Sequence, residues 1–186
     1  MIEFDRVEFA YGTRPVLRGL SLRVEAGERV AVAGASGCGK TTLLRLAMGL
    51  EKPAAGRVSV ATERISPLFQ ENRLLPFLTL RQNCAMFSGD PAGVPSVLDA
   101  LGLSDAADAL PSALSGGMAR RAALARMLCH PADLYLLDEP FTGLDGENAV
   151  RAAKLVNQIT AGKTLLVVTH HPEEAAMLEC GRVIEL

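Results

Sequence analysis

The sequence predicts an α/β domain with a mostly parallel core sheet, an N-terminal antiparallel β part and an inserted helical segment. Apolar residues are closely spaced over the first 30 positions and alternate at Leu20, Leu22 and Val24, as in an antiparallel sheet with one buried face. Short continuous apolar runs at 134–137 and 165–168 indicate strands buried on both faces. Because strands alternate with helix signals, the core sheet should be mostly parallel.

The first third of the chain is predicted to be mainly β-structure. The expected strands lie at 2–9, 20–24, Arg29–Ala33, Val58–Val60 and Ile65–Phe69. A glycine loop, Gly34–Gly39, follows the third strand and leads into a predicted helix. The apolar stripe of that helix comprises Leu43, Leu44, Leu46, Ala47 and Leu50.

The middle of the chain is predicted to be helical. Thr79-Leu80-Arg81-Gln82 fits the capping-box pattern, so a helix should begin at Leu80. Ser96–Asp99 fits the same pattern for a helix that ends near Gly102, and the composition of Met118–Cys129 favours a third helix. The remaining expected elements are a strand at Leu134–Leu137, a helix at Glu147–Ile159, a strand at Leu165–Thr169, a short helix at Glu173–Leu178 and a strand at Arg182–Leu186.

Composition and charge exclude several classes of protein. The chain has 186 residues, 49% of them hydrophobic and 22% charged, which suits one globular domain. A net charge of −2 does not favour a protein that holds nucleic acid by bulk electrostatics. We find neither an apolar run long enough to span a bilayer nor a signal-peptide pattern, so a cytoplasmic location is expected. The four cysteines form no C-x-x-C pair and are expected to be free thiols.

The strongest motif is Gly34-Ala35-Ser36-Gly37-Cys38-Gly39-Lys40-Thr41, which matches G-x-x-x-x-G-K-[ST] between a predicted strand and a predicted helix. Glycines let successive backbone N–H groups face one concavity at a positive helix terminus. Lys40 would reach the β- and γ-phosphates of a nucleotide, and the Thr41 hydroxyl would ligate Mg²⁺. The motif predicts a P-loop NTPase core.

Two further motifs support nucleotide chemistry. Asp138 and Glu139 follow a predicted buried strand, where carboxylates project into the ligand crevice of an open α/β sheet. Asp138 would hold Mg²⁺, and Glu139 would polarise the water that attacks the γ-phosphate. Ser115-Gly116-Gly117 opens a helix, so by itself it indicates either an N-cap or an anion-binding helix terminus.

Together these motifs resemble the ATP-binding cassette (ABC) family, and specifically the nucleotide-binding subunit of an ABC transporter. The resemblance spans essentially the whole chain and is carried by Gly34–Thr42, Gln70, Leu114–Gly117, Leu137–Glu139, Asp145 and His170. The segment from Leu68 to Pro76 is also similar to importers of nitrate, sulfonate and taurine. The resemblance implies one ABC ATPase domain over 1–186. Its nucleotide-binding core, with a shortened antiparallel β part, would comprise 1–70 and 131–186, and its helical subdomain 71–130.

The resemblance also implies roles for individual residues. Glu139, His170, Lys40 and Gln70 would be catalytic, while Thr41, Gln70 and Asp138 would hold Mg²⁺. His171, next to the His170 switch, would be a surface residue. ATP would be bound by Tyr11, Val16, Ser36, Gly37, Cys38, Gly39, Lys40, Thr41 and Thr42. A second subunit would complete each site in trans with Ser115, Gly116, Gly117 and Asp145.

The implied partners are a second copy of the chain, membrane permease subunits and, indirectly, a substrate-binding protein, with no nucleic acid. Two ATP molecules would hold a head-to-tail homodimer together. The helical insertion would carry its opening and closing to the permease. The protein would therefore lie peripherally on the cytoplasmic face of the cell membrane.

Some positions depart from the family pattern. Met118, directly after the family's signature motif Leu114–Gly117, stands where Gln is usual, which could weaken the contacts of that motif. Gly143 replaces Ala in the loop before Asp145. The segment from Lys40 to Gln70 is short, so an antiparallel strand and its loop are expected to be missing. The sequence stops at Leu186, so the C-terminal extension of many relatives is expected to be absent.

Three alternative functions stay open. A non-transport ABC ATPase, as in DNA repair or translation, would generally carry a coiled-coil insertion or a second fused cassette. A small P-loop kinase would have no need of Leu114–Gly117. A regulatory ATP-binding module that hydrolyses poorly would be compatible with Met118. A GTPase is disfavoured because no N-K-x-D follows the P-loop.

Overall fold

The computed structural model describes all residues 1–186 and contains two sheets flanked by helices. The strands are β1 (Ile2–Tyr11), β2 (Arg14–Val24), β3 (Arg29–Ala33), β4 (Ala55–Val60), β5 (Ile65–Leu68), β6 (Leu134–Asp138), β7 (Thr164–Thr169) and β8 (Arg182–Glu185). The helices are α1 (Lys40–Ala47), α2 (Leu80–Ala85), α3 (Val94–Ala100), α4 (Gly116–Cys129), α5 (Gly146–Ile159) and α6 (Pro172–Met177). No helix combines the length and the apolar character that a membrane crossing requires.

The predicted division into an antiparallel and a parallel sheet is confirmed. The antiparallel sheet has the order β2-β1-β4, and its β1 strand buries Ile2, Phe4, Val7 and Phe9. The second sheet has the order β5-β6-β7-β3-β8, and every pair of neighbours in it is parallel. All parallel strands therefore direct their carboxyl ends to one edge, where ligands of such sheets bind.

The parallel sheet separates two hydrophobic cores. On β6, Leu134 and Leu136 pack with the antiparallel sheet and α1, whereas Tyr135 and Leu137 pack with the helices on the opposite face. Successive side chains of a strand point to opposite faces, so a strand covered on both sides must be apolar at every position. This explains why the 134–137 and 165–168 runs are continuous.

The helical insertion occupies the chain between β5 and β6. Its first helix has the predicted capping box, because Gln82 N donates to Thr79 Oγ1 at 3.2 Å and Thr79 N donates to Gln82 Oε1 at 2.9 Å. Asn83 is fully buried and binds the preceding loop, accepting from Leu75 N at 2.8 Å and donating to three carbonyls. The loop before α2 is thereby fixed to the insertion.

Two details of the predicted elements are wrong. Ser96 is not a helix cap, because a short turn at Pro91–Gly93 leads directly into α3 two residues earlier. Leu50 is 57% exposed, because α1 ends at Ala47 and Gly49, with φ 69°, turns the chain away. Ser115 caps α4 as predicted, because its Oγ accepts from Met118 N at 3.3 Å and the helix begins at Gly116.

A buried acid attaches α6 to the end of β7. Glu174 is 5% exposed, and its Oε2 accepts a 2.7 Å hydrogen bond from Thr169 Oγ1. Burial raises the pKa of Glu174 above its ordinary value, and the hydrogen bond from Thr169 offsets only part of that rise. The native state therefore holds this proton more tightly than the unfolded chain does.

We expect Glu174→Gln to flatten the pH dependence of stability. The proton on native Glu174 contributes stability fully below the unfolded pKa, about 4.3, and this contribution is lost as pH rises through the raised native pKa. Gln keeps an acceptor for Thr169 without a charge, so at pH 8 the variant should be more stable than the parent by on the order of 1 kcal/mol. Urea unfolding at pH 5 and pH 8 measures the difference.

The control Glu173→Gln, on the exposed face of α6, should change stability by less than about 0.5 kcal/mol. If the free energy of unfolding of Glu174→Gln varied with pH as steeply as that of the parent, the raised pKa of Glu174 would be contradicted.

Candidate active site

The lysine of the P-loop binds back to carbonyls of the same loop. The ammonium of the buried Lys40 donates to Gly34 O at 2.7 Å and to Ala35 O at 2.9 Å. Helix α1 begins at Lys40, and its cap residue Gly39, with φ 112°, offers no side-chain acceptor. The first N–H groups of the helix are therefore available to an anion.

Two glycines of this loop lie where no side chain fits. A Cβ on Gly34 would lie 2.8 Å from both Cys38 Sγ and Leu186 O, and one on Gly39 would lie 2.9 Å from Val16 and Leu17. Gly37, by contrast, has no atom within 4 Å of a Cβ and faces open space. The loop is thus packed tightly behind and open in front, which is the shape that a phosphate chain requires.

A cavity of about 350 Å³ lies in front of the loop and brings together most of the expected nucleotide-binding residues. Cys38 is not among the lining residues, because its sulfur packs against Gly34 on the inner side of the loop. Arg14, which the sequence analysis missed, also lines the cavity. The lining residues are Tyr11, Arg14, Val16, Ser36, Gly37, Gly39, Lys40, Thr41, Thr42, Gln70 and Glu139.

Tyr11 presents an accessible ring at one end of this cavity. Its ring packs edge-on against Phe9, with ring centroids 4.9 Å apart and ring planes at 83°. Tyr11 is 44% exposed. Arg45 Nη1 donates to the Tyr11 hydroxyl at 3.3 Å. These contacts orient the ring while leaving a surface for stacking.

At the other end, an acid and an imidazole form a pair. Glu139 has φ 47°, which is unusual for a residue with a side chain, and its Oε1 lies 2.9 Å from His170 Nδ1. Thr142 Oγ1 donates to the second carboxylate oxygen at 3.4 Å. His171 stacks on His170 at 3.9 Å between ring centroids, but its Nδ1 pairs with Glu173 at 3.3 Å. Of the two histidines, His170 is therefore the one directed toward Glu139.

Asp138 lies behind this pair and is buried. Burial raises the pKa of its carboxyl, and a hydrogen bond from the Thr41 hydroxyl partly offsets the rise. Asp138, Thr41 and Gln70 line one small hollow together. Nowhere do three His, Cys, Asp or Glu side chains gather into a metal-binding group. A cation at Asp138 would therefore depend on hydroxyl and amide oxygens and on ligands outside the protein.

The residues expected to act in trans are not brought to this cavity. Ser115 caps α4, and Asp145 caps α5 by accepting from Asn148 N at 2.9 Å, a hydrogen bond that lowers the pKa of Asp145. The two caps are neighbours, since a Cβ on Gly117 would lie 3.4 Å from Gly143 O. Gly143 itself has φ 77°, so glycine suits this position.

The sequence analysis also missed Arg120, a buried arginine of α4. It is 3% exposed, and its guanidinium donates to backbone carbonyls at the ends of both β5 and β6. Helix α4 contains three arginines, and no sequence pattern distinguishes this one from the other two.

Comparisons with known proteins agree with this geometry. The family model described as "ABC transporter" matches residues 17–142. The aliphatic sulfonates import ATP-binding protein SsuB 1 of Pseudomonas syringae pv. syringae (strain B728a) is 45% identical over 180 residues, covering 93% of this chain and 76% of that protein. SsuB 3 of Paraburkholderia xenovorans (strain LB400) is 46% identical over 173 residues, covering 90% and 70%.

Solved structures give the same result. The ATP-binding cassette MJ0796, in a dimeric post-hydrolysis state bound to ADP and Pi, superposes with a TM-score of 0.88 at 27% identity, covering 100% of this chain and 94% of that one. A bacterial Atm1-family ABC exporter with ATP bound has a TM-score of 0.86 at 26% identity, covering 94% and 35%. The chain therefore belongs to the ABC transporter family and is one of its ATP-binding, ATP-hydrolysing subunits.

Proposed function

We propose that the chain powers the import of aliphatic sulfonates as an ATP-dependent homodimer on a membrane permease. The substrate class rests on the relatives that are named for it. The observation that carries the mechanism is the division of the site. The P-loop cavity holds Glu139 paired with His170, while the Ser115–Gly117 and Asp145 caps lie outside it.

In this proposal the cavity binds ATP along its length. Adenine stacks on the Tyr11 ring beside Val16, and Arg14 adds a cation at the same end of the cavity. The phosphates lie on the N–H groups of Ser36–Thr42, with Lys40 exchanging its carbonyl partners for the β- and γ-phosphates. That exchange keeps the buried ammonium satisfied in both states.

The hollow shared by Thr41, Gln70 and Asp138 fits a magnesium ion. A hydroxyl, an amide oxygen and a carboxylate are the oxygen ligands that this ion prefers, and phosphate oxygens supply further ones. When bound, Mg²⁺ neutralises charge that develops on the transferred phosphoryl group. Thr41 and Asp138 line the same hollow, so both oxygens are available to one ion.

Glu139 and His170 then carry the hydrolytic step. Glu139 accepts a proton from the attacking water as the water oxygen bonds to the γ-phosphorus and the bond from phosphorus to the bridging oxygen breaks. His170 holds the carboxylate through Nδ1. Its other nitrogen would then donate to the γ-phosphate. The left-handed backbone of Glu139 aims the carboxylate into the cavity instead of along the strand.

A second copy of the chain would complete each site. The free helix terminus at Ser115–Gly117 and the adjacent Asp145 loop are placed to cover the γ-phosphate held by the partner. Two nucleotides between two such surfaces neutralise charge from both sides and close the dimer. Hydrolysis weakens this contact and reopens it.

The helical subdomain, residues 71–130, would carry these movements to the permease, with residues 1–70 and 131–186 as the nucleotide-binding core.

A groove of about 410 Å³ between the two parts is lined by Phe69, Leu75, Phe87 and Met127 together with Arg73 and Arg126. Phe77 and Met86, close in sequence to Leu75 and Phe87, are 90% and 61% exposed. An apolar surface of this kind, edged by cations, fits a permease segment with apolar and acidic side chains. Docking there places the chain on the cytoplasmic face of the membrane. A substrate-binding protein on the opposite side would contact the permease alone.

We expect Glu139→Gln to abolish steady-state ATP hydrolysis while allowing ATP binding. Gln cannot take a proton from water, yet it preserves shape, so kcat should fall at least about 100-fold. ATP should then hold the variant as a dimer, which gel filtration with and without ATP measures. Glu3→Gln, on an exposed position of β1, is the matched control and should turn over like the parent. Hydrolysis by Glu139→Gln at the parental rate would refute the assigned base.

A substitution in the groove lined by Phe87 should impair binding to the permease. Phe87→Ala removes an exposed ring that lines it, so the permease should no longer co-purify with the chain, while thermal unfolding should stay near that of the parent. Val150→Ala, which removes a 62% exposed apolar side chain from α5, should retain the permease. Equal recovery of the permease with both variants would place the contact elsewhere.

Growth tests the substrate class. A strain lacking this gene should fail to grow with an aliphatic sulfonate as sole sulfur source and should grow normally on sulfate. The parent gene should restore growth, and the Glu139→Gln gene should not. Normal growth of the deletion strain on several sulfonates would remove them as the substrate class while leaving the ATPase assignment intact.

A further inference from the structure

Arg120 is bound to the end of the strand that carries the catalytic acid. Its Nη2 donates to Asp138 O and to Glu139 O, each at 2.6 Å, and its Nε donates to Pro140 O at 3.1 Å. The acceptors are main-chain carbonyls of three consecutive residues. The guanidinium therefore fixes the path of the backbone where it enters the left-handed conformation of Glu139.

The remaining nitrogen of the same guanidinium binds the neighbouring strand end. Nη1 donates to Phe69 O at 2.7 Å and to Gln70 O at 3.1 Å, with Asn72 Oδ1 at 3.4 Å. All three nitrogens are thus engaged, and one planar group spans the segments that carry Gln70 and Glu139. A lysine ammonium has only three donors and no fixed fork, so it could not reproduce this set.

Besides its bonds to the two strand ends, Arg120 is part of helix α4. Arg120 lies five residues after Ser115 on α4, a rise of about 7.5 Å at 1.5 Å per residue. Within a helix this separation is rigid. A shift of the Ser115–Gly117 terminus therefore moves the guanidinium, and with it the carbonyls to which it donates. The carboxyl groups that face Arg120 are those of Asp138, Glu174 and Glu139, which balance its charge in this buried position.

We propose that Arg120 is a positioning residue that couples the two nucleotide sites of the dimer. This inference rests on the proposed function, in which Ser115–Gly117 covers the partner's nucleotide while Gln70 and Glu139 serve the chain's own. Closure of the signature terminus on one nucleotide sets the position of Glu139 and Gln70 at the other through this guanidinium. Arg120 does not line the nucleotide cavity and donates to backbone carbonyls, so it would act through the backbone.

The test compares Arg120→Lys, Arg120→Gln and Arg120→Ala with the control Arg121→Lys. Arg121 is adjacent on α4 and also donates to carbonyls, those of Leu101 and Gly102, which lie outside the nucleotide cavity. Each chain is measured for kcat, KM and Hill coefficient of ATP hydrolysis, for binding of a fluorescent ATP analogue and for thermal unfolding.

We expect the parent to show a Hill coefficient above 1, within the limit of 2 that two sites allow. In the folded Arg120 variants kcat should fall on the order of 10–100-fold, as for a small misplacement of catalytic groups. The Hill coefficient should approach 1, and the affinity for the ATP analogue should stay within about two-fold, since the P-loop is intact. Arg121→Lys should keep the parental Hill coefficient. In Arg120→Ala, millimolar guanidinium should restore part of kcat by occupying the vacated position.

Folded Arg120 variants with the parental kcat and Hill coefficient would overturn the inference. So would loss of folding in all three variants, because that result assigns Arg120 to stability alone. These outcomes are distinct from a failure of the proposed function, in which the parent itself would form no ATP-dependent dimer and hydrolyse no ATP. An inactive parent refutes the dimeric ATPase and the coupling together, whereas an active parent with unaffected Arg120 variants refutes only the coupling.

Discussion

The position of β7 between β3 and β6 is the constraint on which the whole active site depends. In the sheet register, Ala33 of β3 pairs with Thr169 of β7, and Asp138 of β6 pairs with Val168. The residues that follow these strands, Gly34, His170 and Glu139, therefore leave the sheet at one edge. Burial of both sheet faces fixes that register, because a slip by one residue would exchange the side chains of the two hydrophobic cores.

Around this edge, polar groups are satisfied within the protein while remaining exchangeable. Lys40 uses loop carbonyls as partners, and Asp138 lies beside Thr41 in one hollow. Both arrangements hold a buried polar group without committing it permanently, since a phosphate or a cation can replace the internal partner. Glu139 and His170 form a pair at the rim, where the carboxylate meets the cavity. The site is preorganised mainly by hydrogen bonds to backbone and hydroxyl groups.

Hydrogen bonds to backbone groups also link the helical insertion to the core. One arginine supplies five backbone carbonyls with donors, and those carbonyls belong to the ends of β5 and β6, where Gln70 and Glu139 lie. Such carbonyls would otherwise be buried without partners or would need water. Helix α4 is thereby connected to the nucleotide edge by directional contacts, in addition to apolar packing.

The sequence alone determined the fold class, the P-loop, the acid pair and the order of nearly all elements, because hydrophobic periodicity and glycine spacing are local properties of the chain. It also predicts that Ser115–Gly117 and Asp145 bind nucleotide in trans, although only through resemblance to a family. The tertiary structure decided which of two adjacent histidines faces Glu139, that Cys38 turns away from the cavity, and that Arg14 enters it. It also selected Arg120 from the three arginines of α4, because partners so distant along the chain leave no trace in local pattern. Contacts of this kind are fixed only when the two strand ends and the helix pack together.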